Sequence, residues 1–571
     1  MQTQLLKELN NVLKTFPQYW HNQVLKRYEV IDAIENKEPS LIKALVANEK
    51  LKKQYGSDID GILLFDFSNL VSLIQYKEYW QDSFTKYKNK IGLTIEGGNY
   101  LDYNSDVVLD FPFKDCMLEG GMTKSETSKK EIYYNEVIAA DEIDRLKQPK
   151  ILTNAKRYSI EREEEYVTKI KDTESLVIKG NNLLALHTLK QNSSEKIDLI
   201  YIDPPYNTDN DSFRYNDRFT RSTWLVFMKN RLEIARRLLS ESGFIVVQID
   251  HNQAQYLKIL MDEIFGEENF RNEIIWSYRT GGVPKKGMLP RKHDNIFVYA
   301  KSKNAIFVPF KERQYLESSF MGSLTDSEGR YYVDTTLRDV FEGVINVVDD
   351  DVIRTYNTRP VLNLSSENID AFKSQKPEGL IHLLVDLLTK KGDTVLDFFA
   401  GTGTTCRVCM KTGRRFIAIE QMDSTVEDIL LPSMNDTIHG KQSGISESVK
   451  WQGGGSFVYC ELAKLNQNYV DKIAQAKTIE QLLSIFDTMK AQAYLNYQIE
   501  LENILKTKYE IEGIDQEIEF SKLALHQQKE LLIDLLDKNQ LYINLSEIDD
   551  INMQVSDIDK QFTQSFYHKG V

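Results

Sequence analysis

The chain of 571 residues is long enough for several hydrophobic cores, carries a formal net charge of −14, and is 41% hydrophobic and 27% charged. This composition is ordinary for a soluble globular protein, and no run approaches the roughly 18 uninterrupted apolar residues that a membrane-spanning helix needs. At roughly 150 residues per domain, we expect three or four structural units. Residues 1–13 have the pattern of an amphipathic helix rather than a signal peptide, so we expect a cytoplasmic protein.

The four cysteines argue against a disulfide framework, which agrees with a reducing compartment. Cys406 and Cys409 have the spacing of half a zinc site, but the sequence offers no second pair or nearby histidine to complete four ligands. We therefore predict small buried side chains at these positions and no metal site.

The first part of the chain, up to about residue 110, has the 3.6-residue periodicity of helices separated by charged turns. The predicted helices are 4–14, 24–34, 41–55 and 71–79. A highly charged stretch at 159–174 then indicates an exposed connector, and we place a domain boundary near residue 160.

Beyond that boundary, apolar runs alternate with helical patterns in two blocks, which predicts an α/β fold with a largely parallel, Rossmann-like sheet. The predicted strands are 176–178, 197–202, 244–249, 394–397 and 416–419, and the predicted helices are 183–191, 222–239, 380–389 and 404–412. Residues 304–372 between the blocks show no regular pattern. After about residue 425 we predict a loop rich in Gly and Ser, a strand at 456–459 and helices at 479–495 and 523–537.

A glycine turn follows the predicted strand 394–397, which ends at Asp397. Gly401 and Gly403 permit a tight turn and close approach of the backbone to a ligand. Glu420 ends the next strand, near the offset of a ribose-binding carboxylate. Cys406 replaces the third glycine of a dinucleotide motif and no Gly-Lys-Thr phosphate loop follows, which disfavours a nicotinamide cofactor or a nucleoside triphosphate. S-adenosylmethionine, with an adenosine moiety but no phosphate chain, fits.

A second motif, Asp203-Pro204-Pro205-Tyr206, follows the strand 197–202 at its carboxyl end, where open α/β sheets have their ligand crevices. An amino group on an aromatic ring is a poor nucleophile because its lone pair is delocalised. Asp203 can accept one of its N–H groups and the Pro204 carbonyl the other, while Tyr206 can stack on a base that has left the duplex. A turn that only closes the strand is the plainer interpretation, but the glycine turn and Glu420 favour catalysis.

Basic side chains are concentrated in one part of this acidic chain. The segment from Arg271 to Lys303 has a net charge of +6. We predict contacts to DNA phosphates there and in residues 207–221, an ordinary solvated face being the alternative. The predicted contacts are Arg214, Arg218, Arg221, Arg279, Lys285, Lys286, Arg291 and Lys292. We expect His251 and His293 to be structural, since the proposed chemistry assigns them no proton to move, and the acidic triplet 349–351 to be a turn.

Together these residues resemble DNA amino-methyltransferases of the β group, in which the catalytic tetrapeptide precedes the cofactor turn. Residues 179–186, 274–276, 293–299 and 375–378 also match that group. Asp203, where cytosine-N4 enzymes usually have serine, implies adenine N6. By this resemblance, the cofactor S-adenosyl-L-methionine would contact Asp397, Phe399, Gly401, Gly403, Thr404, Glu420, Lys376, Pro377 and Asn182.

The ends of the chain are similar to Mod subunits of type III restriction-modification systems, at residues 83–87, 107–121, 152–154 and 566–569. That resemblance implies a homodimer in a prokaryotic cell that methylates a flipped adenine in double-stranded DNA and joins a Res helicase-nuclease subunit. Two alternatives stay open. One is a solitary methyltransferase without a nuclease partner, and the other is a mainly DNA-recognition or docking subunit with weak methylation.

The motifs then divide the chain into five predicted parts. They are a mostly helical N-terminal domain (1–160), a catalytic half (161–303), a target-recognition region (304–373), a cofactor-binding half (374–425) and an α+β C-terminal region for dimer or partner contacts (426–571).

Overall fold

The structure is a computed structural model that divides into two compact units. The first comprises Met1–Lys90, Lys114–Leu118 and Glu131–Asp144, and the second comprises Ile91–Phe113, Glu119–Lys130 and Arg145–Val571. The described residues are 9, 11–21, 24–25, 30, 33–34, 37–59, 62–67, 70, 92–95, 99–100, 108–110, 147–162, 165–207, 221–278, 289–307, 310–349, 352–361, 375–492, 508–511, 514–519, 523–525, 528–529, 532–533, 536 and 541–567.

The first unit contains both helices and strands. Helices Pro39–Ala47 and Glu49–Tyr55 agree with the predicted helix at 41–55, and Leu41, Leu45 and Leu51 are buried in its core. Strands Trp20–His21 and Val24–Leu25 pair, as do Gly56–Ile59 and Ile62–Phe65. The prediction of a mostly helical front end missed these strands. An Asp-Gly pair between two apolar segments is a hairpin signal that was available in the sequence. The predicted helix at 71–79 lies outside the described residues.

The second unit is built on a sheet of eleven strands, labelled here in chain order. They are β1 Leu152–Ser159, β2 Glu165–Tyr166, β3 Ser175–Lys179, β4 Ile197–Ile202, β5 Leu239–Ile249, β6 Phe270–Ser277, β7 His293–Ala300, β8 Val340–Glu342, β9 Thr394–Asp397, β10 Arg415–Glu420 and β11 Ser456–Leu462. Their order across the sheet is β8-β6-β7-β5-β4-β9-β10-β3-β11-β1-β2. The six strands from β5 to β11 in this order are parallel, as predicted, and the flanking strands β7 and β1 are antiparallel to them.

Five helices connect the strands near the site. They are α1 Asn182–Ser193, α2 Arg221–Leu238, α3 Ala254–Phe265, α4 Glu378–Leu388 and α5 Thr404–Thr412. From β4 the chain passes through α2 to β5 on one side, and from β9 it passes through α5 to β10 on the other. The neighbouring strands β4 and β9 therefore form a topological switch point, and ligands of open α/β sheets bind outside the carboxyl ends of such strands.

The sheet begins before the predicted domain boundary. Strand β1 pairs with β11, and helix Asp557–Tyr567 packs on it, with Thr563 Oγ1 donating to the Leu152 carbonyl at 2.9 Å. The boundary near residue 160 therefore falls inside the second unit. The predicted C-terminal region likewise contributes strand β11 to the sheet, and its last helix packs on the sheet. A strand can join a sheet from any distance along the chain.

Residues 311–357 contain an antiparallel sheet of five strands, which we call the insert sheet. Its strands are Lys311–Leu316, Leu324–Thr325, Tyr331–Thr336, Val344–Asp349 and Val352–Asn357. The prediction of an irregular middle segment was wrong here. Much of the insert sheet is exposed, so it lacks a clear apolar alternation, and cross-strand pairs such as Arg313–Asp334 at 2.7 Å bring charged side chains into the strands.

The remaining elements are short. Strands Gly92–Ile95, Asn99–Tyr100 and Val108–Asp110 form one small sheet, and Lys508–Ile511 and Ile514–Glu519 form another. A short helix at Asp423–Thr425 continues into the helical segments Val426–Leu430 and Leu431–Ile438, where a loop was predicted. Helices Gln467–Gln475 and Ile479–Gln492 follow, the second of which was predicted, and short 3-10 turns lie at Pro17–Tyr19, Glu267–Asn269, Leu545–Glu547 and Ile551–Met553. Within the described ranges, no helix is long and apolar enough to cross a membrane.

Candidate active site

The Asp203-Pro204-Pro205-Tyr206 turn leaves β4 at the switch point and is held from two sides. Trp224, buried on α2, donates its indole N–H to the Pro205 carbonyl at 2.8 Å. The Tyr206 hydroxyl donates to Asp294 Oδ2 at 3.0 Å. The turn is therefore anchored through the Pro205 carbonyl and through the Tyr206 side chain. The Pro204 carbonyl lies one residue before the Pro205 carbonyl that Trp224 binds.

Asp203 pairs with Lys376, which lies 173 positions away in the chain. Lys376 Nζ is 2.5 Å from Asp203 Oδ2 and 5.1 Å from the centre of the Tyr206 ring. The second oxygen, Asp203 Oδ1, is buried and has no hydrogen-bond partner among the described residues. Burial raises the pKa of Asp203 above its ordinary value even though Lys376 acts in the opposite direction. An oriented acceptor oxygen is thus available to a donor that enters the site.

The glycine turn leaves β9 beside this acceptor. Gly401 and Gly403 have φ angles of +50° and +77°, in the left-handed region that favours glycine. Glu420, at the end of β10, accepts the Gly401 N–H through Oε2 at 2.9 Å. Asp397 accepts the Phe399 N–H at 3.0 Å and the Thr405 hydroxyl at 2.6 Å. These bonds fix the backbone that would approach a ligand.

Two of these carboxylates are buried without a cation beside them in the described structure. Burial raises the pKa of Asp397 to about 7 and also raises the pKa of Glu420. A ligand that carries positive charge would favour their ionised forms, because opposite charges stabilise each other most where water is excluded.

Residues behind the turn support it, and most of them were missed by the sequence analysis. Asn182, predicted as a cofactor contact, donates to the Phe398 carbonyl at 2.9 Å and accepts from the buried Arg231 at 2.7 Å, so both ends of its amide are bonded within the protein. Arg407 on α5 donates to the Thr402 carbonyl at 2.8 Å and to Glu378 at 2.8 Å. Glu378 also binds Lys411 at 2.7 Å. Arg407 and Lys411 lie four residues apart on one helix face, where two like charges repel each other. This spacing was the signal in the sequence for a carboxylate between them.

A cleft that is open to solvent joins the two motifs. Its lining comprises Tyr201, Asp203, Gln375, Lys376, Ile381, Asp397, Phe399, Ala400, Gly401, Thr402, Thr404 and Thr405. Gln375 is buried, and its amide oxygen and nitrogen both lack a hydrogen-bond partner within the described ranges. Buried amides normally have partners, so this one has hydrogen-bonding capacity for a ligand or a water molecule in the cleft. Pro377, just before α4, is buried beside the lining residue Lys376.

The predicted DNA contacts are only partly described. Arg221, at the start of α2, is exposed and stacks on Tyr256 with 4.0 Å between its guanidinium carbon and the ring centre. Arg291 is exposed and Lys292 is half-buried, and both lie within two residues of the start of β7. Arg214, Arg218, Arg279, Lys285 and Lys286 lie outside the described residues. His293 begins β7 and His251 lies 3.7 Å from Asp250, and the cleft lining includes neither.

Comparison with known proteins gives two matching family models and several relatives. Residues 197–430 match a DNA methylase family, and residues 38–93 match the type III restriction/modification enzyme methylation subunit. The chain is 30% identical to a probable type III restriction-modification enzyme HindVI Mod subunit from Haemophilus influenzae, across 99% of each protein. It is 27% identical to the StyLTI Mod subunit of Salmonella typhimurium, across 42% of this chain and 50% of that protein. A solved structure, the cytosine-N4-specific PvuII DNA methyltransferase, matches 51% of this chain and 97% of its own at 14% identity and a TM-score of 0.31.

Proposed function

The chain belongs to the Mod subunits of type III restriction-modification enzymes, which are S-adenosylmethionine-dependent DNA adenine-N6 methyltransferases, and we propose that methyl transfer takes place at its Asp203–Gly401 cleft. The observation that carries this proposal is the juxtaposition of Asp203 and Gly401 at the carboxyl ends of two neighbouring strands, although almost 200 residues separate them in the chain.

The target base enters from the Asp203 side of the cleft. The adenine amino group donates one N–H to Asp203 Oδ1, which is buried without a partner in the described structure, and the other to the Pro204 carbonyl. Tyr206 stacks on the ring of the base, which has left the duplex. Because the methyl donor is already activated, orientation of the amino group contributes much of the rate acceleration, through proximity effects that can reach about 7–11 kcal/mol.

The cofactor occupies the Gly401 side of the cleft, where buried carboxylates and an amide can bind its charged and polar groups. Asp397 and Glu420 are buried carboxylates that suit its positive charges and ribose hydroxyls, and Gln375 has an unused amide. Gly403 has a left-handed φ that a larger residue would resist, and an added Cβ would lie 3.2 Å from Leu430. When bound, S-adenosylmethionine would supply an activated methyl group. The bond from the methyl carbon to sulfur would break as the bond to the amino nitrogen forms, which leaves a neutral thioether, and the amino group would release one proton to solvent.

The reaction is tested by incubating DNA from cells that lack this gene with the protein and methyl-labelled S-adenosylmethionine, then digesting the DNA to nucleosides. We expect label in N6-methyl-2′-deoxyadenosine only. Label in N4-methylcytosine, or none in DNA, would refute the assignment. Methylation-sensitive long-read sequencing of DNA from cells expressing the chain then gives the site and the strand.

Cofactor affinity is expected to rise with pH through about 7, which is the raised pKa of Asp397. Below that pH Asp397 is protonated in the free protein, and a bound cation favours its ionised form, so binding at low pH must release a proton. Titration calorimetry between about pH 6 and about pH 8 measures this dependence, and Asp397→Asn should remove it. A wild-type affinity that stays constant over this range would contradict the prediction.

The assembly proposed for the chain is a homodimer that binds double-stranded DNA and joins a Res helicase-nuclease subunit. The relatives named Mod subunits support this proposal. Light scattering should give twice the mass of the chain, and a helicase-nuclease gene beside this one should yield a protein that co-purifies with it. A monomer without such a neighbour would favour a solitary methyltransferase.

A further inference from the structure

Asp294, near the start of β7, is a buried carboxylate at the edge of the proposed site. Its side chain is held by three neutral donors. Tyr206 and Gln248 donate to Oδ2 and Tyr278 donates to Oδ1, each at 3.0 Å. The residue is 4% exposed, and no lysine or arginine in the described structure pairs with it. Burial of a carboxylate without a cation costs free energy unless hydrogen bonds satisfy it. The three donors therefore hold the Asp294 side chain in one orientation.

The sheet explains why this carboxylate reaches the site. Strand β7 runs antiparallel to β5, so its first residues lie at the edge where β5 and β4 end. Asp294 is paired in register with Trp276 of β6, and Tyr278 follows that strand. The network extends inward because Tyr201, which lines the cleft, donates to Gln248 at 2.8 Å. Asp294 therefore links the target-base side of the cleft to three strands.

Tyr206 depends on this link for its orientation. Its backbone neighbour Pro205 is anchored by Trp224, but its ring can still turn about the side-chain bonds unless the hydroxyl is held. Burial, together with the nearby Asp203 and Asp294, raises the pKa of Tyr206 well above its ordinary value, so the hydroxyl remains a donor. A misplacement of about 1 Å in such a group can cost a hundredfold in rate.

We propose that Asp294 is a positioning residue that holds the Tyr206 ring in the orientation in which it stacks on the target base. The inference rests on the proposed function and adds a residue to which the sequence motifs gave no role. Tyr278, bound to the other oxygen of the same carboxylate, keeps Asp294 from rotating.

The test is a double-mutant cycle with Asp294→Asn and Tyr206→Phe, which removes the hydroxyl but keeps the ring. Each single variant should lower kcat for methylation between about tenfold and a hundredfold, with the Kd for S-adenosylmethionine and the melting temperature unchanged. Tyr206→Phe also removes an interaction of the hydroxyl with Asp203, so it should be the slower single variant. The double variant should be no slower than Tyr206→Phe, because Asp294 is proposed to act through the hydroxyl that this change removes.

A matched control is Asp262→Asn, which weakens a similar bond between Asp262 and Tyr299, at 2.6 Å, near the other end of β7. Its kcat should equal that of the wild type. The proposal is overturned if Tyr206→Phe or Asp294→Asn keeps full activity, or if the two effects multiply in the double variant. A wild-type protein that does not label adenine would instead refute the proposed function.

Discussion

Asp203→Ala is expected to abolish methyl transfer while S-adenosylmethionine still binds. The substitution removes the acceptor that orients the amino group, and loss of one preorganised hydrogen-bonding group in an active site typically costs about a hundredfold or more in rate. Asp203 lies on the base side of the cleft, whereas Glu420 and Gln375 are proposed to hold the cofactor, so cofactor affinity should remain. Methyl incorporation into DNA and titration calorimetry measure the two properties on the same preparation.

Tyr206→Ala should likewise abolish methyl transfer while S-adenosylmethionine still binds, because the base loses the ring on which it stacks.

The control for Asp203→Ala is Asp436→Ala, which breaks another aspartate–lysine pair, Asp436–Lys441 at 2.7 Å, on an exposed surface. That variant should methylate DNA like the wild type. Full activity in Asp203→Ala would place the active site elsewhere. A fall in activity that parallels a fall in cofactor affinity would place Asp203 in the cofactor site instead.

The strands that carry the two motifs were predictable because their local chemistry is distinctive. Strands β4 and β9 have the predicted bounds, since each is a short buried run that ends where proline or glycine interrupts it. Parallel strands covered on both faces need such continuous apolar runs. The glycine turn and the start of α5 at Thr404 followed from the same reasoning, and the structure agrees.

The contacts between distant residues were not predictable from periodicity. Lys376 was expected near the cofactor, yet its ammonium binds Asp203, and Asp294 was only part of a matching stretch. Both contacts depend on the order of strands across the sheet, which no local pattern encodes. The insert sheet was missed for a related reason, because exposed strands such as Tyr331–Thr336 lack the apolar alternation that a core would impose.

The second large effect is expected at the buried ion cluster of Glu378, Arg407 and Lys411 behind the glycine turn, and it is an effect on the free energy of unfolding. Glu378 is 1% exposed and binds Arg407 at 2.8 Å and Lys411 at 2.7 Å, both of which are also buried. Although burial raises the pKa of Glu378, the two cations outweigh it and hold the pKa below its ordinary value. The cluster's contribution to stability is therefore present above the ordinary pKa of glutamate and is lost only as pH falls through the lowered one.

Glu378→Ala should lower the free energy of unfolding by about 3–5 kcal/mol, because it leaves two buried cations without their shared carboxylate. Urea denaturation followed by circular dichroism measures the change. Because Arg407 also holds the Thr402 carbonyl, the affinity for S-adenosylmethionine should fall with the stability. Exchanging Glu378, Arg407 and Lys411 together for Met should recover most of the stability but not the affinity, since an apolar cluster has no unpaired charge and no donor for the turn. A fall in the free energy of unfolding of less than about 1 kcal/mol in Glu378→Ala would mean that water or a rearranged side chain takes the place of the carboxylate. In that case the turn would be held by its glycines, Glu420 and Asn182 alone.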